Sequence, residues 1–169
     1  MANVCRSPTA HGVFAEMVQA AGLSDHIRVS SAGVRSKDRG QPPDPRAQEV
    51  ALEADYDLSS LRSRRMAPQD FIEADYILSM DEEVLKRILD EKPEGSQSKV
   101  ELMMDYAPGS IGAREVPDPY YGRMSDFTLV LHYIEESCLG LLESIIANHL
   151  VDDANSDPDS NNTDANDPA

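Results

Sequence analysis

The segment Cys5-Arg6-Ser7-Pro8, near the start of the chain, carries groups that could bind a phosphate. The planar guanidinium of Arg6 can donate two parallel hydrogen bonds to phosphate oxygens. Pro8 suits the first position of a helix, and apolar residues then recur at helical spacing up to a stop at Gly22. A loop that runs into a helix N-terminus offers backbone N–H groups and a positive dipole end to an anion. These residues predict an anion site, but they also fit an ordinary Ser-capped helix start.

The second segment whose residues could take part in catalysis is Val116-Pro117-Asp118-Pro119-Tyr120-Tyr121-Gly122. The prolines on either side of Asp118 restrict its backbone, as the positioning of a general acid requires. Tyr120 and Tyr121 could form one wall of an aromatic slot. An ordinary Asp-Pro turn with half-buried tyrosines would give the same pattern.

Together the two segments resemble the low molecular weight protein tyrosine phosphatases. In that family a phosphate loop runs Cys, five residues, Arg, then Ser or Thr, and the general acid lies in an Asp-Pro-Tyr-Tyr-Gly or similar segment. The resemblance covers roughly residues 1–149. Three further segments between the two motifs match in the same order: Ser30-Ser31-Ala32-Gly33, Gly40-Gln41-Pro42-Pro43-Asp44 and Asp75-Tyr76-Ile77-Leu78-Ser79-Met80-Asp81.

The resemblance implies a role for each matching residue. Arg6 would clamp the phosphoryl oxygens and stabilise the transition state. Asp118 would protonate the leaving phenolate and then activate water against a phosphocysteine intermediate. Tyr120 and Tyr121 would flank the substrate ring, and Lys37 with Asp38 would lie at the pocket rim.

The phosphate loop would cradle the same oxygens with its backbone N–H groups. Its residues in this chain are Ala2, Asn3, Val4, Cys5, Arg6 and Ser7. Asn3 would hold a left-handed turn, a conformation that Asn tolerates. Ser7 would hydrogen-bond the catalytic thiolate and lower its pKa, and Ser31 would support the loop from behind.

The same alignment places the nucleophilic Cys directly before Met1, because counting back five residues from Arg6 ends at Met1. Cys5 matches the second cysteine of the family loop, next to the Arg, and could not reach the centre of the phosphate cradle. We therefore expect the chain as written to be inactive. We also expect an upstream apolar strand that ends in Cys, lost through a misplaced start codon.

Three alternatives stay open at this point. The first is a phosphate-binding or phosphoprotein-binding module without catalysis. Arginine phosphatases of the superfamily tend to carry Thr where this chain has Val4, which favours phosphotyrosine. Arsenate reductases of the same fold need two further cysteines in mid-chain, and the sequence has none between Cys5 and Cys138.

Composition predicts a single soluble domain over residues 1–149. No apolar run is long enough to span a membrane, and two cysteines are too few for a disulfide framework, so we expect a cytoplasmic protein. The net charge of −16 argues against nucleic acid as a partner. The histidines show no metal-ligand spacing, and neither metal nor cofactor is expected. The expected partner is a phosphotyrosine protein, with bacterial tyrosine kinases as an example of the class.

The last segment, 150–169, predicts a disordered acidic tail. It combines Asn, Ser and Pro with almost no apolar residue, and it carries six acids: Asp152, Asp153, Asp157, Asp159, Asp164 and Asp167. A solubilising role is the simplest interpretation, and docking to a basic partner is the alternative.

The order of apolar patterns predicts an α/β fold in which strands alternate with helices. The predicted helices are 8–21, 45–54, 81–91 and 125–149, and the predicted strands are 27–32, 75–80 and 100–104. The resemblance implies the three-layer phosphotyrosine phosphatase I-like fold. Its parallel sheet has four strands, of which the first, interior one would be absent from this chain.

Overall fold

The structure, a computed structural model, describes residues 2–35 and 39–150. In these residues the chain forms five α-helices and two β-strands. The helices are α1 (Arg6–Ala20), α2 (Pro45–Glu53), α3 (Asp70–Glu73), α4 (Glu82–Glu91) and α5 (Met124–Ile145), and the strands are β1 (Tyr76–Ser79) and β2 (Lys99–Leu102). Short 3₁₀ turns lie at Met103–Tyr106 and Gly109–Ile111, and a π-helical turn at Ile146–Leu150 extends α5.

The two strands form a parallel pair joined through α4. A parallel sheet buries both faces, and side chains alternate between the faces along each strand. Tyr76 and Leu78 pack on the face covered by α1 and α5. Ile77 and Val100 pack on the opposite face, against the apolar side chains of α3 and α4. The family's α/β layer arrangement, predicted from sequence, is confirmed.

The main core lies between α1 and α5, which pack directly against each other. Both helices place an apolar stripe at intervals of three and four residues, the spacing of one helix face. The buried members of this stripe are Val13, Phe14 and Val18 from α1, and Phe127, Val130, Leu131, Ile134, Cys138, Leu141 and Leu142 from α5. This packing fixes α1, and hence the loop that precedes it.

Helix α1 begins two residues earlier than predicted, so the assignment of Pro8 to its first position is wrong. Cys5 is the N-cap, and Pro8 occupies the third helical position. Proline is accepted there because the first N–H groups of a helix have no intrahelical acceptor. At the other end the predicted stop is confirmed, since Gly22 has a φ of 70°.

The predicted strand at 27–32 is wrong. Only Gly33 makes a bridge, to Arg65, and the preceding residues carry no ladder. Strand structure requires a hydrogen-bonded neighbour, and none of the described residues pairs with this segment on its β1 side. The predicted strand at 100–104 is shifted, because Met103 and Met104 turn into a 3₁₀ helix instead of continuing the ladder.

Two predictions lie outside the described residues, namely the acidic tail from 151 onward and the pocket-rim residues Lys37 and Asp38. None of the helices in the described part of the chain is long and apolar enough to cross a bilayer.

Candidate active site

The loop before α1 turns on Asn3, whose backbone adopts a φ of 62° and whose residue is 3% exposed. The predicted left-handed turn at this residue is confirmed. The Asn3 side chain fixes the loop in three directions. It donates to the hydroxyls of Ser7 (3.2 Å) and Ser31 (3.0 Å), and it accepts from the backbone N–H of Arg64 (3.0 Å). A buried amide with all these partners holds one conformation.

Ser7 and Ser31 therefore meet at Asn3, although they lie 24 positions apart in the sequence (31 − 7). The ring nitrogen Nδ1 of His11 also approaches the Ser31 hydroxyl, at 3.4 Å. Burial, followed by the nearby Arg64 guanidinium, lowers the pKa of His11. The structure thus places Ser31 behind the loop, where it was predicted.

Arg6 is the first residue of α1, and its guanidinium is only 7% exposed. Its Nη1 lies 2.8 Å from Oδ2 of Asp81 and donates to the Val116 carbonyl, also at 2.8 Å. Asp81 uses its other oxygen to cap α4 through the Val84 N–H. Arg6 therefore joins the loop to the carboxyl end of β1 and to the start of the Asp118 segment.

Asp118 lies at the edge of this arrangement with its side chain half exposed. Its Oδ2 is 3.7 Å from Nη2 of Arg6, and its Oδ1 accepts from the Tyr120 N–H at 3.1 Å. The following Pro119 is fully buried and anchors the turn. The two predicted chemical residues are thus neighbours across the mouth of the loop, 112 positions apart in sequence (118 − 6).

The sequence interpretation assigned no role to Asp81, Asp44 or Arg46, which the structure places in the site. Asp44 caps α2, donates its N–H to the Val4 carbonyl (2.7 Å), and pairs with Arg46 at 2.8 Å. The hydrogen bonds from Arg46 hold the pKa of Asp44 below its usual value. The run Asp44-Pro45-Arg46 was a usable signal, since Asp followed by Pro marks a helix start.

Arg46 also reaches the acid segment. Its guanidinium donates to the carbonyls of Tyr120 (3.0 Å) and Gly122 (3.3 Å) and lies 4.5 Å from the centre of the Phe127 ring. One side chain thus connects α2, the acid segment and the start of α5. We infer that Arg46 sets the position of the turn that carries Asp118.

Tyr120 and Tyr121 form an edge-to-face pair with ring centroids 4.9 Å apart. Tyr121 is 97% exposed and Tyr120 is about half exposed. Neither ring is packed into the core, so both are available to a ligand at the surface. The exposure of Tyr121 distinguishes it from the half-buried tyrosines of an ordinary Asp-Pro turn, whereas the half-exposed Tyr120 fits either interpretation.

Neither cysteine is placed to act as a nucleophile. Cys5 is buried, and its pKa is raised to about 12, first by burial and then by the carboxylates of Asp44 and Asp118. Cys138 is fully buried in α5 against the Ala10 carbonyl, and burial also raises its pKa. The reactive form of a cysteine is the thiolate, which both environments disfavour.

The backbone N–H groups of Asn3, Val4 and Cys5 find no backbone or side-chain acceptor among the described residues. They lead directly into the N-terminus of α1, where the helix dipole favours an anion. With Arg6 beside them, these groups can hold a phosphate-sized oxyanion. No cluster of metal-ligating side chains occurs in the part of the chain that the structure describes.

Comparison with known proteins gives a consistent result. The family model described as "Low molecular weight phosphotyrosine protein phosphatase" matches residues 1–151. A putative low molecular weight protein-tyrosine-phosphatase of Synechocystis is 38% identical over 146 residues, which is 86% of this chain and 92% of that protein. The human low molecular weight phosphotyrosine protein phosphatase is 34% identical over 85% of this chain and 90% of its own.

Among solved structures, a protein tyrosine phosphatase of Entamoeba histolytica, crystallised with Hepes in the active site, superposes with a TM-score of 0.82. It is 34% identical, and the match covers 87% of this chain and 93% of that chain. The phosphatase fold, the protein-tyrosine-phosphatase activity at family level and the phosphoprotein class of substrate follow from these matches. The chain belongs to the low molecular weight phosphotyrosine protein phosphatase family.

Proposed function

We propose that this site hydrolyses phosphotyrosine in proteins through a phosphocysteine intermediate, with Arg6 and Asp118 in the two chemical roles. The observation that supports the proposal is their approach to 3.7 Å at the mouth of a loop that ends in a helix N-terminus. An oxyanion held by the loop would touch the guanidinium on one side and the carboxyl group on the other.

In the first step a thiolate attacks phosphorus and the bond to the phenol oxygen breaks. Asp118 gives its proton to that oxygen, so tyrosine leaves as a neutral phenol. In the second step Asp118 takes a proton from water, the water oxygen attacks phosphorus, and the sulfur–phosphorus bond breaks to release phosphate and thiolate. The partial exposure of Asp118 lets the attacking water reach its carboxylate in the second step.

Arg6 supplies the charge that stabilises the transition state. Both hydrogen-bonding contacts of its guanidinium with described residues fall on Nη1, which leaves donors on Nη2 and Nε for phosphoryl oxygens. Because the guanidinium is buried and braced by Asp81, it is oriented before substrate arrives. Preorganised charge of this kind costs no rearrangement during the reaction.

We propose further that the thiol comes from a cysteine directly before Met1, the position that the family loop gives to its nucleophile. The Ser7 hydroxyl lines the cavity beneath the loop and is held there by Asn3. A thiolate at the loop centre would accept a hydrogen bond from that hydroxyl, which would lower its pKa. The raised pKa of Cys5 supports this assignment over a role for Cys5 itself.

The second candidate is a phosphate-binding module without catalysis. It is favoured by one observation, namely that neither cysteine in the described residues has an accessible, ionisable thiol. Under either candidate we propose a phosphotyrosine protein as partner, a tyrosine kinase being one such protein, and the reducing cytoplasm as the place where a thiol enzyme works.

Two forms of the protein separate the candidates. The chain as given should bind vanadate or phosphate by calorimetry but should not hydrolyse p-nitrophenyl phosphate. A chain extended by about five apolar residues and a cysteine before Met1 should hydrolyse it, and the further change Arg6→Ala should abolish both turnover and anion binding. Turnover by the unextended chain that disappears in Cys5→Ser would overturn the assignment of the nucleophile. An extended chain that binds vanadate without turnover would favour the binding module.

A further inference from the structure

Five arginines are concentrated in neighbouring segments of an otherwise acidic chain. Residues 33–35, 39–41 and 59–66 contain these five arginines and no acid. Lys37 and Asp38, which fall between the first two segments in the sequence, carry opposite charges and leave the balance unchanged. The whole chain, by contrast, has 31 acids against 15 Lys and Arg. The three segments therefore form a basic region in a protein whose net charge is −16.

Backbone contacts join these segments to each other and to the phosphate loop. A parallel β-bridge pairs Gly33 with Arg65, and a hydrogen bond of 2.8 Å from the Gly40 N–H joins the second segment to the third. The N–H of Arg64 donates to Oδ1 of Asn3, in the phosphate loop, at 3.0 Å. The basic region therefore lies directly beside the loop that would hold the phosphoryl group.

Four of the five arginines are exposed, and none of these four forms an ion pair with another described residue. They are Arg35, Arg39, Arg62 and Arg65, and we call them the arginine ridge. Of the other ten Lys and Arg side chains that the structure describes, eight do form an ion pair. Carboxylates are in excess in this chain, so their absence from the ridge is a property of this surface.

Arg62 shows how the ridge presents its charge. Nη1 of its guanidinium donates to the carbonyls of Ser59 (2.7 Å) and Leu61 (2.6 Å). These bonds hold the side chain, while Nη2 and Nε have no partner among the described residues and can still donate. A planar guanidinium that is already held suits bidentate binding of a carboxylate and loses less conformational freedom than a mobile side chain.

The other side of the site lacks this excess of positive charge. The exposed charged residues around the acid segment are Arg114, Glu115, Asp118, Arg123 and Asp126, in which acids outnumber bases. A peptide that crosses the mouth of the loop would therefore meet an excess of positive charge on one flank only.

We propose that the arginine ridge selects phosphotyrosine peptides whose acidic residues lie on one flank of the phosphotyrosine. This inference rests on the proposed function, because the loop must hold the phosphoryl group for the flank to reach the ridge. Carboxylates on that flank pair with the exposed guanidiniums, and acids on the other flank gain nothing. Without such a local surface, a protein of net charge −16 would repel an acidic peptide.

The test measures binding of labelled phosphotyrosine peptides to the chain as given by fluorescence anisotropy. Three peptides carry three Glu before the phosphotyrosine, three Glu after it, or Gln at all of these positions. An exposed charge pair contributes roughly 1.5–5-fold in affinity. We therefore expect one Glu peptide to bind about 10-fold more tightly than the Gln peptide at low salt, and the other to bind no more tightly than the Gln peptide. The preference should largely disappear at about 0.5 M salt, because exposed charges are then screened.

Two double variants with the same change of net charge locate the effect. Arg62→Gln with Arg65→Gln should remove most of the preference for Glu and leave affinity for the Gln peptide within about twofold. The control is Arg28→Gln with Lys99→Gln, exposed positions near the amino ends of β1 and β2, away from the phosphate loop, and it should keep the preference. Melting temperatures check that both variants fold. Equal affinity for all three peptides, an equal gain for both Glu peptides, or the same loss in both variants would overturn the proposal.

Unphosphorylated versions of the peptides separate failure of the ridge from failure of the proposed function. We expect them to bind at least about 10-fold more weakly than the phosphorylated ones. If phosphorylation strengthens binding but the Glu flank adds nothing, the phosphate loop keeps its role and the ridge proposal is wrong. If unphosphorylated Glu peptides bind as tightly as phosphorylated ones, the ridge binds acidic chains and the proposed function is wrong.

Discussion

The candidate site has two walls that are built in opposite ways. The loop wall contains Asn3 and Arg6, and the acid wall contains Asp118 and Tyr121. On the loop wall, Asn3 and Arg6 are 3% and 6% exposed, and every contact that fixes them is made by buried or half-buried groups. On the acid wall, Asp118 is half exposed and Tyr121 is almost entirely exposed. The acid wall is held mainly from one side, by Arg46 and by the turn at Pro119.

This difference matches the two tasks that phosphate transfer sets. Charge that stabilises a transition state acts best when it is fixed in advance and shielded from water. The general acid must instead reach the leaving oxygen in the first step and the attacking water in the second, which requires a position that water can enter. Changes on the loop wall should therefore reduce stability and anion binding together, and changes on the acid wall should affect rate alone.

The largest effect is expected for Arg6→Ala. The substitution leaves Asp81 without its cation in a site where both side chains are largely buried, and loss of one partner of a buried pair costs roughly 3–5 kcal/mol. Urea unfolding measures this loss, and calorimetry with vanadate should detect no binding. The control is Arg114→Ala, which breaks an exposed pair with Glu82 and should cost about 1 kcal/mol or less. Equal losses for the two variants would contradict a preorganised loop wall.

The complementary variant is Asp118→Asn in the extended, thiol-containing chain. Turnover of phosphotyrosine should fall by about 10²–10⁴, because the phenolate then leaves without a proton. The fall should shrink for leaving groups that depart readily as anions. Unfolding free energy should stay within about 0.5 kcal/mol of the parent, since the side chain is half exposed. A large loss of stability would show that the two walls are coupled.

The placement of Arg6 near Asp118, of Ser31 against the loop and of the turn at Asn3 could be predicted from the family resemblance, because each residue lies in a short motif of the sequence. The sequence could not predict that Asp81 braces Arg6 or that Arg46 holds the acid segment. The first contact spans 75 sequence positions (81 − 6) and the second spans 74 (120 − 46). The position of a long, flexible guanidinium depends on tertiary packing rather than on its neighbours in sequence.

Four of the five α-helices of the described residues were predictable to within a few residues, since apolar spacing and end signals such as Gly22 are local, but the four-residue α3 was not predicted. The strands were less predictable from the sequence than the helices. Residues 27–32 have a strand-like pattern, but a strand exists only when a neighbour pairs with it, and the pattern carries no information about that neighbour. None of the described residues pairs with this segment on the side that faces β1.

A smaller effect on the loop wall separates backbone conformation from hydrogen bonding. Asn3→Gly keeps access to the left-handed turn but loses the side-chain bonds to Ser7, Ser31 and Arg64, which should cost roughly 1–3 kcal/mol. Asn3→Ala should cost roughly 1–2 kcal/mol more, because alanine is strained at that φ. Thermal unfolding and vanadate affinity should both follow this order. Equal stability of the two variants would mean that the turn relaxes to another conformation.

The smallest effect is expected for Cys5→Ser. With the pKa of Cys5 raised to about 12, the folded protein holds the thiol protonated, and iodoacetamide at neutral pH should modify it only after denaturation. Catalysis by the extended chain should therefore be nearly unchanged in Cys5→Ser.

The pH dependence of stability gives an independent check. Because the folded state disfavours the Cys5 thiolate, the unfolded chain loses its proton first as the pH rises past about 9. This contribution to the free energy of unfolding is complete below that pH and is lost between about pH 9 and pH 12. Serine does not titrate in this range. The difference in the free energy of unfolding between the parent and Cys5→Ser should therefore narrow or change sign as the pH rises. Rapid alkylation of folded Cys5 at neutral pH would instead make it a reactive thiol on the loop wall, and the proposed position of the nucleophile would be wrong.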